Sequence, residues 1–346
     1  MEKGKDTRNF RSRLRRASSL FSRERIKGVF SKGQLRGGHL FRNLVALMAC
    51  NVFLILGIML YKFVGGAWLS ITSYGLGFLG GTTWQPFPPN QLAAPVFGAL
   101  PLIYGTLVTS LIALIIAVPL SLGIALALSE FAPKRFSYVI SFLVELLAAI
   151  PSVIYGLWGI FILIPFLQQD VYPQLQSVLG FLPFFQGPIL GSNVLTGSIV
   201  LAIMIIPTIS AVSRDVFAAV PGSQREAVIA LGATRWEAAK IVVSYGRSGI
   251  VGAIILGLGR AVGETMAITM VIGNSFNMFS SLFQPGYTLS SIIANEFREA
   301  SSPPVYISAL IEVGLVLFAL ALVINILARI VIRGTMKRIG GAENLR

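Results

Sequence analysis

Six long apolar segments stand out when the chain is read for its pattern of hydrophobic and polar residues. Each holds about 20 or more mostly apolar residues, the length that an α-helix needs to cross the hydrocarbon core of a bilayer. A membrane β-barrel would instead show segments of about ten residues with alternating polarity. The pattern therefore predicts six transmembrane helices, at residues 44–64, 102–128, 138–166, 194–213, 249–273 and 305–328.

Composition supports a membrane protein. Of the 346 residues, 55% are hydrophobic and 12% are charged, and the mean hydropathy is +0.78. Soluble proteins average about 25% charged residues, so this chain has too little polar surface to cover a water-soluble globule. These values argue against a soluble enzyme, a disordered chain and a collagen-like fibre, and together with the long apolar segments they predict an all-α integral membrane protein.

The positions of the basic residues predict the orientation of the helices. If the N-terminus is cytoplasmic, 25 of the 28 Lys and Arg residues lie on the cytoplasmic side and two, Lys62 and Arg298, lie outside. The remaining one, Arg260, lies within the fifth apolar segment. Because an excess of Lys and Arg marks cytoplasmic loops, we expect a multi-pass protein with both termini in the cytoplasm. Orientation thus explains the net charge of +14, and no nucleic-acid partner is expected.

The same patterns divide the chain into three regions. Residues 1–43 carry 13 basic residues and few apolar ones, which predicts a flexible cytoplasmic tail that can touch anionic lipid headgroups. Residues 44–335 form the transmembrane domain, which includes a cytoplasmic loop at 214–248, named here the 214–248 loop. Residues 336–346 form a short cytoplasmic tail.

The sequence lacks the motifs of catalysis and of metal binding. It contains one cysteine, Cys50, and one histidine, His39, which excludes a disulfide framework, a cysteine-ligated zinc site and a two-histidine metal site. It also lacks the phosphate-binding loop of ATPases and the nucleophile elbow of hydrolases. We therefore expect no catalytic residue, no metal and no cofactor, and we expect any ATP hydrolysis to reside in another chain.

The 214–248 loop predicts two short helices. Ser223 is followed three residues later by Glu226, which is the spacing of a helix-capping box, and Gly232 predicts the end of this first helix. A second short helix is predicted over residues 234–243. Two short helices joined at a glycine make a rigid projection that is suited to docking in a groove of a partner.

This loop resembles the EAA loop of ABC-importer permeases. The resemblance lies in the stretch EAV at 226–228, followed six residues after its glutamate by a glycine. It implies that the loop inserts into a cleft of a separate ATPase subunit and transmits the closure of that cleft. The chain departs from the family at Ser244 and Tyr245, where a Leu-Pro pair is usual, and an ordinary amphipathic loop is the alternative. The residues with an implied coupling role are Glu226, Ala227, Gly232 and Arg235.

A second resemblance, which covers about residues 98–334, concerns the substrate. The stretches GLGRAVGETMA at 257–267 and ANEFREA at 294–300 are similar to the PstC-type permeases of phosphate importers. The resemblance implies a type I ABC importer permease fold and translocation of inorganic phosphate across the bacterial plasma (inner) membrane by alternating access. It also implies three partners: a second permease subunit of PstA type, a PstB-type ATPase dimer and an extracytoplasmic phosphate-binding protein of PstS type.

Arg260 and Glu264 are the candidate residues of the translocation pathway. Arg260 lies about eleven residues into the fifth segment, where a charge is costly and marks a pathway by default. Its planar guanidinium fits phosphate oxygens. Glu264 follows one helical turn later, so a continuous helix would place the two side chains close enough to pair. The alternative is a buried ion pair that only fixes the register between helices.

Gly259 and Gly263, four residues apart in the same apolar segment, predict close helix packing rather than a nucleotide-binding loop. Glu145 and Glu312 also lie within predicted helices, and their roles stay open. Two alternatives for the function stay open as well. One is a permease subunit for another oxyanion, such as phosphonate, sulfate or molybdate. The other is an ion-coupled secondary carrier in which Glu145 or Glu312 carries protons.

Overall fold

The computed structural model of the protein describes residues 32–90, 93–300 and 302–343, and almost all of this part is helical. Residues 1–31 of the predicted tail lie outside the described residues. The rest of that tail, residues 32–43, belongs to the first helix, which begins at Lys32. The helices are α1 (Lys32–Tyr74), α2 (Gly77–Gly80), α3 (Leu100–Leu126), α4 (Lys134–Ala148), α5 (Ser152–Trp158), α6 (Ile164–Phe166), α7 (Tyr172–Leu179), α8 (Val194–Ala218), α9 (Gly222–Ala230), α10 (Arg235–Tyr245), α11 (Arg247–Gly263), α12 (Met266–Val271), α13 (Leu289–Glu296) and α14 (Pro304–Glu343).

Several short elements complete the fold. Two strands of two residues each pair antiparallel, Trp84 with Phe97 and Gln85 with Val96, so the prediction of a purely helical chain misses this small hairpin. The hairpin strands are β1 (Trp84–Gln85) and β2 (Val96–Phe97), the π-helical segments are Ala127–Phe131, Gly159–Leu163 and Leu167–Val171, and a 3₁₀ turn covers Pro183–Phe185.

Five helical segments of the described chain are long and apolar enough to cross a membrane, and a sixth is possible if a bent pair counts as one span. The bent pair is α10 and α11, which meet at an angle of 67°. The five segments are Phe41–Tyr74, Leu100–Phe131, Ser152–Leu179, Val194–Ala218 and Pro304–Ile330.

The third predicted helix differs most from the structure. The sequence predicts one continuous helix over 138–166, but the chain breaks between α4 and α5, so that prediction is wrong. Pro151 stands at the break with an extended ψ of 138°. Proline has no N–H to donate and disfavours helical geometry in the residue before it, which explains the break at this position. The membrane-length segment instead runs over Ser152–Leu179.

The core of the helix bundle centres on α8, which packs along α3 and α11. Ala113 and Ala117 of α3 and Ile205 and Ile209 of α8 are fully buried in one cluster. Small side chains on one helix opposite branched side chains on the other let the two backbones approach closely. A polar contact supplements this packing, because the Ser121 hydroxyl donates a hydrogen bond of 3.3 Å to the carbonyl of Ile206.

The chain divides into two compact units, residues 1–62 and residues 63–346. The described part of the first unit is the N-terminal part of α1, and its apolar side chains from Phe41 to Leu60 are exposed. The second unit holds all the other elements. It contains the α3–α8 core and also a cluster of aromatic side chains around the β1–β2 hairpin, which includes Phe78, Trp84, Phe97 and Tyr306.

Candidate functional site

Arg260 lies in the last turn of α11, where its half-buried side chain meets α8. Nη1 of its guanidinium donates a hydrogen bond of 3.2 Å to the hydroxyl of Thr208. Within the described residues, Arg260 forms no ion pair. An arginine stays protonated under all ordinary conditions, so a full positive charge stands here with one neutral partner.

An open groove of about 320 Å³ runs beside this guanidinium, and we name it the Arg260 groove. Thr208 and Asn325 contribute its other polar side chains, from α8 and α14. Sequence reasoning missed both residues, although a polar residue in an apolar helix is a signal for a pathway. The groove can therefore offer an anion one charge and two neutral polar groups. Its lining consists of Thr208, Ile255, Leu256, Gly259, Arg260 and Asn325.

The predicted pairing of Arg260 with Glu264 is wrong. Helix α11 ends at Gly263, and Glu264 has extended backbone angles of φ −67° and ψ 127°. Oε1 of Glu264 accepts a hydrogen bond of 3.2 Å from the backbone N–H of Ala267, at the start of α12. By binding the N–H of Ala267, the Glu264 carboxylate stabilises the start of α12, which favours a break in the chain over continuation of α11. The one-turn spacing therefore does not place the two side chains together.

The 214–248 loop forms the two predicted helices, α9 and α10. The prediction that Ser223 caps α9 is wrong, because Pro221 holds the cap position and makes no side-chain hydrogen bond there. Helix α10 does have a capping box, in which the hydroxyl of Thr234 accepts from the N–H of Glu237 and the Glu237 carboxylate accepts from the N–H of Thr234. The Thr234 N–H, and then its hydroxyl, lower the pKa of Glu237 below its ordinary value.

Gly232 ends α9 as predicted. Its φ is +86°, in the left-handed region, where residues with a Cβ are strained. Two hydrogen bonds close this turn, from the N–H of Gly232 to the carbonyl of Ile229 and from the N–H of Ala233 to the carbonyl of Val228. The glycine thus sets the angle between α9 and α10.

The residues with a predicted coupling role lie on the exposed surface of the loop. Glu226, Ala227 and Arg235 are all exposed, and so are Ile229 (52%) and Leu231 (88%). Exposed apolar side chains beside a carboxylate are typical of a surface that meets another protein. The structure therefore leaves this side of the loop open to a partner.

Arg225 is a residue of this loop that sequence reasoning missed. It forms an ion pair with Glu130 at the end of the span Leu100–Phe131, and Nη2 of Arg225 lies 2.8 Å from Oε1 of Glu130. Its hydrogen bond to Glu130 is the main cause that raises the pKa of Arg225. Because the two residues are 95 positions apart, no local spacing in the sequence signals the contact.

The glycines of α11 divide into two classes. A Cβ on Gly257 would lie 2.6 Å from Ile209 of α8, so this glycine is required for close packing. A Cβ on Gly259 or Gly263 would meet no atom of the described chain within 4 Å. Within the described residues, therefore, no close contact of the predicted kind forms at Gly259 or Gly263, and close packing there against another chain stays a prediction.

Glu145 and Glu312 have different environments. Glu145 lies on α4 and pairs with Arg214, whose Nη2 is 3.0 Å from Oε1 of Glu145. Glu312 on α14 is buried with 6% exposure, and its Oε2 has no hydrogen-bond partner in the described structure. No cluster of His, Cys, Asp or Glu that could hold a metal ion occurs among the described residues.

Comparisons with known proteins identify the family. Residues 117–337 match the family described as the inner membrane component of binding-protein-dependent transport systems. The chain is 47% identical over 298 residues to the phosphate transport system permease protein PstC of Haemophilus influenzae, which covers 85% of this chain and 92% of that protein. It is 39% identical over 277 residues to the probable phosphate transport system permease protein PstC of Methanocaldococcus jannaschii, which covers 80% and 87% of the two chains.

A solved structure supports the predicted fold. The chain is similar, with a TM-score of 0.51 and 17% identity, to a chain of a bacterial ABC transporter that imports the acidic polysaccharide alginate. The similarity covers 87% of this chain and 98% of the other, and it confirms the predicted permease fold. Together with the residues matched above, these comparisons show that the chain belongs to the inner membrane components of binding-protein-dependent transport systems, in the family of PstC phosphate transport permeases.

Proposed function

We propose that the chain is the PstC-type permease subunit of an ATP-driven importer that moves inorganic phosphate into the cell. The observation that carries this proposal is the 47% identity to a PstC permease over 85% of the chain. The chain is a transport subunit and not the ATPase. Its partners are a PstA-type permease, a PstB-type ATPase dimer and a PstS-type phosphate-binding protein outside the membrane.

The Arg260 groove is the proposed contact for the translocated anion. The guanidinium of Arg260 is half-buried, and its hydrogen-bond partner is a neutral hydroxyl. A phosphate that enters the groove therefore has to replace only a neutral hydroxyl as the partner of Arg260, and it does not have to displace a carboxylate. Arginine presents several donors in one plane, which suits two oxygens of the same phosphate. Glu264, one residue beyond the end of α11, is proposed to limit how tightly the anion is held.

The 214–248 loop is the proposed contact for the ATPase. Glu226, Ala227 and Arg235 offer an exposed surface, and Gly232 fixes the angle between its two helices. Closure of the ATPase dimer on ATP would push this loop and move the membrane helices. The loop then lies in the cytoplasm, together with both termini of the chain, as the distribution of basic residues favours.

Reconstitution of the four-protein importer in liposomes tests the proposed function. With phosphate-loaded binding protein outside and ATP inside, we expect phosphate uptake that needs ATP hydrolysis and survives ionophores that abolish ion gradients. Sulfate, molybdate or phosphonate at the same concentration as phosphate should not compete for uptake. Uptake that collapses with the ion gradient would identify a secondary carrier, and uptake of another oxyanion in preference to phosphate would reassign the substrate.

A further inference from the structure

We infer that Arg225 is a positioning residue that fastens the first helix of the 214–248 loop to the ends of two spanning helices. Through the contacts of Arg225, a displacement of the loop moves both spanning helices together. The inference rests on the proposed function, because it assumes that an ATPase moves the loop. It assigns the transmission of that movement to Arg225 and Glu130, which lie behind the exposed docking surface.

The guanidinium of Arg225 makes four hydrogen bonds to three residues. Nε and Nη2 donate to the two carboxylate oxygens of Glu130, at 3.0 Å and 2.8 Å. Nη1 donates to the carbonyl of Val220 at 2.7 Å, and Nη2 also donates to the carbonyl of Phe217 at 2.7 Å. A bidentate pair of this kind fixes orientation as well as distance. The side chain therefore resists both sliding and rotation.

The partners of Arg225 belong to two different spanning segments. Glu130 lies in the last π-helical turn of Leu100–Phe131, and Phe217 lies in the last turn of Val194–Ala218. The pair is also largely shielded from water, since the Glu130 side chain is 10% exposed and that of Arg225 is 25% exposed. Low exposure strengthens the attraction and reduces screening by salt.

A second contact beside Glu130 holds the other helix of the loop. The ring of Phe131 lies 6.2 Å, between centroids, from the ring of Trp236 in α10. Two consecutive residues at the end of one span thus hold the two helices of the loop, Glu130 through Arg225 of α9 and Phe131 through Trp236. The next residue after Arg225 is Glu226, which is exposed and free for a partner.

Of these two contacts between the loop and the spanning helices, the one made by Arg225 is the stronger. In the described part of the chain, no other side chain of α9 or α10 makes a hydrogen bond or ion pair to the spans Leu100–Phe131 and Val194–Ala218. If one partner of a shielded ion pair is removed, the other is left without compensation. Loss of the pair should therefore loosen the loop from the membrane helices while the docking surface itself remains.

The test measures phosphate taken up per ATP hydrolysed by the full importer in liposomes, together with retention of the ATPase during purification. The variants are Arg225→Gln, Arg225→Lys and Glu130→Gln. Arg135→Gln is the matched control, because Arg135 is an exposed arginine in the first turn of α4 with no ion pair in the described structure. We expect Arg225→Gln to lower the ratio roughly tenfold, the two milder variants to lower it less, and the control to leave it unchanged.

The outcomes separate this inference from the proposed function. ATPase retention equal to wild type with a lowered uptake-to-ATP ratio supports the inference. A ratio within about twofold of wild type in Arg225→Gln, with the ATPase bound, overturns it and leaves the proposed function standing. A wild-type complex that takes up phosphate without an ATPase overturns the proposed function instead. If Arg225→Gln does not assemble, Arg225→Lys and Glu130→Gln decide by the same criterion.

A covalent link offers an independent measurement. The chain has a single cysteine, Cys50, so a Cys50→Ser background allows Glu130→Cys and Arg225→Cys to be joined by a short bis-maleimide, which alkylates both thiols. We expect the uncrosslinked double variant to hydrolyse ATP with little uptake and the crosslinked one to recover uptake. Recovery would show that the mechanical connection matters rather than the charges. A crosslinked, assembled complex that stays uncoupled contradicts the inference.

Discussion

The indole of Trp84 donates a hydrogen bond of 2.7 Å from Nε1 to Oε2 of Glu296, although 212 positions separate the two residues. The hydroxyl of Tyr306 donates a second bond of 2.8 Å to the same oxygen. One carboxylate oxygen thus joins the β1–β2 hairpin, the end of α13 and the start of α14. Burial raises the pKa of Glu296 above its ordinary value, while the bonds from Tyr306 and Trp84 act in the opposite direction.

The first prediction concerns the pH dependence of stability at this carboxyl. Because its folded-state pKa is raised, Glu296 contributes stability that is fully present below the ordinary glutamate pKa and is lost as the pH rises through the folded-state value. A glutamine at this position keeps an oxygen that can accept both bonds and does not titrate. We expect wild type to lose thermal stability relative to Glu296→Gln as the pH is raised from acid to neutral. Scanning calorimetry of both purified complexes checks this, and parallel melting curves would contradict it.

Much of the membrane architecture could be predicted because long apolar runs report directly on bilayer-spanning helices. The predicted segment 194–213 corresponds to α8, and the helix end at Gly232 follows from the φ that only glycine adopts without strain. Pro151 indicates a kink or hinge in the predicted helix over 138–166, but neither the full break there nor the end of α11 at Gly263 was predicted, since a hydropathy average does not register a local change of backbone direction. The supposed pairing of Arg260 with Glu264 failed for the same reason.

The contacts that complete the candidate sites were beyond sequence reasoning because they join distant positions. Arg260 meets Thr208, which is 52 positions away, and Arg225 meets Glu130, which is 95 positions away. Only the packing of α8 against α3 and α11 brings these residues together. The sequence identifies the charged residues that need partners in an apolar environment, but the fold decides which partner each one receives.

The second prediction concerns the turn at Gly232. A Cβ here meets no neighbouring atom, so the obstacle to substitution is the φ of +86° rather than space. Asparagine tolerates this conformation better than alanine or valine. We expect ATP-driven uptake to decrease in the order Gly232→Asn, Gly232→Ala, Gly232→Val, with normal membrane insertion. Gly222→Ala is the matched control, because Gly222 has open space and no positive φ. Equal uptake by all the Gly232 variants would exclude a role for the angle between α9 and α10.

The third prediction distinguishes the glycines of α11. Gly257→Leu would force a side chain into Ile209, and overpacking of this kind costs about 1–3 kcal/mol or more. We expect that variant to melt at a lower temperature and to give a low yield of this subunit. A Cβ on Gly259 meets no atom of the described chain within 4 Å, so we expect the subunit alone to keep its stability in Gly259→Leu. If Gly259 packs against the second permease, the yield of the two-permease complex should fall selectively. An unchanged yield of that complex would refute the packing prediction.

The last prediction concerns Arg260. Arg260→Gln removes the positive charge that faces the Arg260 groove, so an anion that crosses at this depth would do so unpaired. We expect phosphate uptake to fall to background while the complex still assembles. Arg260→Lys should recover only part of the uptake, because an ammonium lacks the fork of donors. Thr208→Val is the companion variant, because it removes a neutral polar group of the groove and the hydroxyl partner of Arg260 but keeps the charge, so its loss of uptake should be smaller than that of Arg260→Gln.

Substitution of Glu264 provides a further test of the role of Arg260. Because Oε1 of Glu264 caps α12 through the N–H of Ala267, Glu264→Gln retains the cap and removes only the charge. If the charge limits how tightly Arg260 holds the anion, Glu264→Gln should slow release, which lowers the maximal uptake rate and the half-saturating concentration of phosphate-loaded binding protein together. Since the two side chains are not paired, the losses of stability in Arg260→Gln and Glu264→Gln should add in the double variant. The opposite result would be a double variant whose loss of stability differs strongly from the sum of the two single losses and whose uptake is restored. That result would identify an ion pair that only fixes helix register, and it would contradict a role for Arg260 in the translocation pathway.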